Sequence, residues 1–114
     1  MKKALVYLAS PYSKYPGGRE EANKLVTKKA AELMEEGYIL FAPIPHSHNI
    51  EKEMSKTYDG DWWLEQDFAV LKNCDKLVVY KIPGWEKSYG VKEEIKFAKK
   101  NKIPVEYIEY APNT

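Results

Sequence analysis

Glu93 and Glu94 are adjacent carboxylates in a stretch, 88–98, whose apolar positions Val91, Ile95 and Ala98 recur at helical spacing. At about 100° per residue, Glu94 falls on the inward side, between Phe97 and that stripe, while Glu93 points nearly the opposite way into solvent. A half-buried carboxylate near a helix start is an ion-pair partner, a capping group held by the helix dipole, or a tuned catalytic group. The stretch 61–72 repeats the pattern, with Asp67 between the Leu64/Phe68/Leu71 stripe and the Trp63/Val70 edge. Charged side chains are almost never fully buried unless paired or used, so two inward acids shift the reading toward one site with acid–base or nucleophilic chemistry. Asp75, at a helix-to-strand junction, reads instead as a turn-stabilising residue.

Around these acids the loop 10–19 supplies hydroxyls at Ser10, Tyr12, Ser13 and Tyr15, flexible backbone at Gly17-Gly18, and Arg19 where a helix begins. Hydroxyls, an Arg and exposed helix N–H groups suit an oxyanion or phosphate, although the loop is neither a dinucleotide fingerprint nor a triphosphate loop. His46 and His48 lack a clear third ligand, which favours a pocket-lining or exposed role over a metal site. Cys74 reads as a small buried residue. Trp62 and Trp63 suit a core or an interface, and Trp85, after Pro83-Gly84, either stacks on a base or packs over its loop.

The elements that must position these groups follow from periodicity. Short apolar runs at 4–9, 38–41, 76–80 and 104–108 read as strands. Helical spacing covers 19–36, closed by Gly37, then 61–72 with Asp61 as its cap, and a last helix capped by Ser88. The prolines at 43 and 45 predict an irregular stretch over 43–48, with a short helix at 49–57. Alternating strands and helices predict an α/β fold, a Rossmann-like or flavodoxin-like three-layer sandwich on a mainly parallel sheet of four to five strands. Ligands of such sheets bind beyond the strand carboxyl ends, which selects the loops after Ala9, Phe41 and Tyr80.

Composition narrows the function. The chain has 114 residues, enough for one domain spanning 1–114. Its 18 basic and 17 acidic side chains leave a formal charge of +1, with no basic stripe to support a polynucleotide. A single cysteine excludes an intrachain disulfide and favours a reducing compartment. The apolar run after Met1-Lys2-Lys3 stops too soon at Ser10-Pro11 for a signal peptide, and no segment nears the roughly 20 apolar residues of a membrane helix. The expectation is a cytoplasmic protein with a small-molecule ligand, bound to neither membrane nor polynucleotide.

Three fragments together resemble the nucleoside 2-deoxyribosyltransferase-like superfamily, which includes the deoxynucleoside monophosphate N-glycosidases. Tyr7-Leu8-Ala9-Ser10-Pro11 is similar to its first-strand motif, Glu65-Gln66-Asp67 through Cys74-Asp75-Lys76-Leu77-Val78-Val79 to its central segment, and Ser88-Tyr89-Gly90-Val91-Lys92-Glu93-Glu94 to its SxGVGxE motif. The Pro83-to-Gly90 version looks closer still to a small bacterial and phage branch that opens with SPYS. Ser10 and Lys92 stand where these motifs carry Gly. The resemblance implies cleavage of an N-glycosidic bond in a deoxynucleoside or its monophosphate, without metal or organic cofactor. Glu94 would be the nucleophile, Asp67 would orient the sugar or shuttle a proton, and Tyr12 would position Glu94. Ser10, Arg19 and Ser88 would hold hydroxyl or phosphate oxygens, with Pro11, Ser13, His46, Trp85 and Gly90 completing the binding wall. Sites of this superfamily often borrow residues from a neighbour, which implies a homo-oligomer. A rival reading keeps the pocket without turnover, as a nucleotide or nucleotide-sugar binding module. A third, an interaction surface built from Trp and Tyr, makes no use of the two inward acids.

Overall fold

Strand β1, Leu5–Ala9, is apolar on both faces because both are covered. Val6 and Leu8 point to one helical layer with Ala22, Val26, Ala30 and Leu33 of α1, Arg19–Glu35. Tyr7 and Ala9 point to the other, with Leu71 of α3, Gly60–Leu71, and Val91 and Ala98 of α4, Tyr89–Lys100. The computed structural model describes residues 3–112.

Strands β2 (Ile39–Phe41), β3 (Lys76–Lys81) and β4 (Val105–Glu109) complete a four-stranded, all-parallel sheet in the order β2-β1-β3-β4. Helices on both faces make it the α/β sandwich expected from the sequence. The chain steps outward from β1 to β2, then crosses back beyond β1 to β3. The order therefore reverses between β1 and β3, and the loops leaving their carboxyl ends diverge to open a crevice. The register sets Ala9 beside Val79, so 10–19 and 82–88 emerge side by side. Fully buried Leu8, Leu71 and Leu77 anchor this centre, each contributing on the order of 1.5–3 kcal/mol by removal from water.

Two elements differ from expectation. Helix α2 runs Pro43–Lys52, where the sequence suggested an irregular stretch followed by a helix at 49–57. Both prolines fall in its first turn, whose N–H groups have no intrahelical partner, so their missing donors disturb no hydrogen bond. Asp59 rather than Asp61 caps α3, accepting from the Trp62 N–H at 2.9 Å. Among the described residues no helix is long and apolar enough to cross a membrane.

Candidate functional site

A cavity of about 270 Å³ opens at the β1/β3 reversal, and each neighbouring element contributes one face to it. Ser10, Tyr12, Ser13, Lys14 and Arg19 come from the loop after β1 and the start of α1. Helix α2 presents Pro43, Ile44, Ser47 and Glu51, spaced on one side of the helix. Helix α3 contributes Trp63, Leu64 and Asp67, and α4 contributes Ser88, Tyr89, Gly90 and Glu94. Tyr89 donates to Asp61 Oδ1 at 2.7 Å, tying the starts of α3 and α4 together.

Glu94 is the most buried acid of this wall, only 4% exposed. Ser88 fixes its helical phase: its Oγ accepts from the Val91 N–H at 3.2 Å, and the helix it starts turns Glu94 inward. There the Tyr7 hydroxyl, projecting from β1, donates to Glu94 Oε2. Burial pushes the Glu94 carboxyl up to about 8; the Tyr7 bond opposes the rise, and the nearby Asp67 charge adds to it. Asp67, half-buried in the same wall, is pushed up by burial to about 6. Burial and the charges of Glu94 and Asp67 hold the Tyr7 hydroxyl well above the ordinary phenol range, so it remains a donor. Near neutral pH the two acids together hold about one proton, which belongs to the pair.

Two residues of this wall each bury a polar side-chain atom with no hydrogen-bond partner among the described residues, Ser10 Oγ and Trp63 Nε1. A buried donor or acceptor left unsatisfied costs about 1–3 kcal/mol, a local strain that the fold carries in the wall beside the two acids. Arg19 lays its guanidinium 5.3 Å from the Tyr12 ring centroid. Among the described residues, no three His, Cys, Asp or Glu side chains gather closely enough to share a metal ion.

The family model of a domain of unknown function, DUF1937, matches residues 4–110 and so takes in every residue of this wall. The chain belongs to that family. Among curated proteins, none matches it.

In this DUF1937 domain the cavity brings together Glu94, Asp67, Ser10, Tyr12, Ser13, Arg19, Ser88 and Gly90 of the residues singled out by sequence. Other expectations are corrected. Tyr12 does not touch Glu94: its hydroxyl lies 2.6 Å from His48 Nδ1, and it is the Tyr7 hydroxyl that donates to Glu94. His46 packs its ring 5.3 Å from that of Phe41 and stays off the cavity. Trp85 lies on the far side of α4, against Tyr107 of β4 and under Lys81 of β3, and stays off the cavity. Pro11 is fully buried and outside the lining. Glu93 is half-buried rather than fully solvated, and pairs with Lys96 at 3.2 Å. Sequence reasoning missed Tyr7, which reads as one more apolar strand residue. It also missed Ser47 and Glu51, whose shared face is visible only once 43–52 is taken as a helix.

Proposed function

We propose that this domain cleaves the N-glycosidic bond of a deoxynucleoside or deoxynucleoside monophosphate, with Glu94 as nucleophile. The observation that carries the reading is the pair itself: two acids with raised proton affinity on one cavity, one of them held by a buried tyrosine hydroxyl. In the reactive form the shared proton rests on Asp67, and Glu94 is ionised against the Tyr7 donor. Glu94 attacks the anomeric carbon as the C–N bond breaks, and the bonding electrons leave with the base, which takes the Asp67 proton. Asp67, now a carboxylate, removes a proton from water. That water opens the glycosyl ester and restores Glu94. Ser10, Arg19 and Ser88 bind sugar hydroxyl or phosphate oxygens, and Tyr7 holds Glu94 from behind the wall.

The test is release of free base from the four deoxynucleosides and their monophosphates. Glu94→Gln keeps shape and reach but removes the attacking charge, so turnover should fall by about 10³-fold or more while binding persists. Glu93→Gln, off the cavity, should leave turnover within about twofold. Normal base release by Glu94→Gln would refute the mechanism. Ligand binding by the wild type with no release of any base would make the domain a binding module.

A further inference from the structure

A second polar chain leaves the cavity at Tyr12, apart from the Tyr7–Glu94 hydrogen bond. Tyr12 lies on the wall, its hydroxyl 2.6 Å from His48 Nδ1. His48, on α2 and 5% exposed, places Nε2 2.9 Å from Glu20 Oε1 on α1. Lys52 sits 2.9 Å from that same oxygen. No step proposed above uses His48, Glu20 or Lys52.

The chain has a direction. A carboxylate only accepts, so Glu20 requires a hydrogen on His48 Nε2. An uncharged imidazole carries one hydrogen, which leaves Nδ1 bare. The Tyr12 hydroxyl must then donate to Nδ1, and only its oxygen lone pairs remain for the cavity. Glu51, whose charge bears on the Tyr12 hydroxyl, is a second acceptor on this wall, while Arg19 covers the ring face and leaves the hydroxyl to His48.

We propose that Tyr12 is a fixed hydrogen-bond acceptor for the ligand, its own proton committed to His48 by Glu20. It thereby selects nucleosides that bring a hydroxyl or amino donor to this wall. Glu20 and His48 are positioning residues acting through Tyr12. The substrate class rests on the glycosidase reading; the direction of the chain does not.

The direction is tested without any ligand, by nitrogen NMR of the imidazoles, which reads the hydrogen on each ring nitrogen directly. His48 should show a hydrogen on Nε2 and a bare, hydrogen-bonded Nδ1, with His46→Gln assigning the signals. A hydrogen on Nδ1 overturns the proposal. Selection is tested in the Glu94→Gln background by binding of each deoxynucleoside and its analogues lacking the 3′-hydroxyl, the 5′-hydroxyl or a base amino group. One of these losses should weaken binding by about 3- to 10-fold. Tyr12→Phe should erase that ratio, and Glu20→Gln, which frees the tautomer, should reduce it with the fold intact by circular dichroism. A ratio unchanged in Tyr12→Phe refutes the selecting role even where the tautomer is as stated. Failure of every nucleoside to bind refutes the glycosidase reading, and the NMR result still decides the direction of the chain.

Discussion

Tyr7 shows why a residue's role depends on which face of its strand it occupies. Its neighbours Val6 and Leu8 pack under α1, whereas Tyr7 reaches through the other core to Glu94. Its bond favours the ionised carboxylate against burial and the Asp67 charge. Removing it with Tyr7→Phe should raise the proton affinity of Glu94 further and make the reactive form, with the proton on Asp67, rarer. The pH profile of kcat/KM should be a bell with limbs near 6 and 8 in the wild type, because one proton must remain on the pair. In Tyr7→Phe the rate should fall at every pH within the bell, and its alkaline limb should move upward. An unmoved alkaline limb would mean that Tyr7 only fills space. Glu94 and Asp67 were legible in the sequence because an acid in phase with an apolar helical stripe is anomalous. Tyr7 was hidden because a tyrosine within Leu5–Ala9 is what a buried strand is expected to contain.

At the level of elements, the site depends on two loops being held together. Gly84 adopts φ 97° in the loop after β3, and a Cβ there would stand 2.3 Å from the Lys14 carbonyl oxygen. Both the left-handed backbone and the contact require glycine. Gly84→Ala should destabilise the fold by about 1–3 kcal/mol, measured by denaturant midpoint at constant m-value. It should also push residues 10–19 away from the cavity and weaken ligand binding more than the stability loss alone explains. Stability and affinity both within error of wild type would show that the loops move independently. The sequence marked 83–85 as a site-side loop, but nothing local indicates which neighbour a loop leans on. The same limit produced the error at 43–48: two prolines argue against a strand, and their tolerance in a first helical turn depends on where the helix starts, which Ala42 does not announce. The strands and the α1 and α4 periodicities were legible because each is a local pattern repeated over several residues.

The whole molecule carries the burden of the site as a pH-dependent loss of stability. Glu94 has an ordinary value of 4.5 and is raised to about 8 by burial, while Asp67 has an ordinary value of 3.8 and is raised to about 6. The folded chain therefore binds more protons than the unfolded chain between about pH 4 and 8, and stability must fall as pH rises through that window. The contribution is fully present below about pH 4 and lost above about pH 8, where the folded core must hold a charge that the unfolded chain would expose to water. A tenfold change in proton affinity corresponds to about 1.4 kcal/mol, so for buried Glu94 the loss is on the order of a few kcal/mol, a large fraction of a small domain's stability. Glu94→Gln removes the charge and keeps a carbonyl oxygen for the Tyr7 donor. It should be close to wild type in stability at pH 5 and more stable by on the order of a few kcal/mol at pH 8.5, with a flatter curve between. Denaturant unfolding across that range measures it. A Glu94→Gln curve parallel to wild type would mean that Glu94 titrates like an exposed acid and that the paired-acid site lacks its defining strain. A variant that gains stability where it loses turnover would instead identify the buried charge as one retained for chemistry at the expense of the fold.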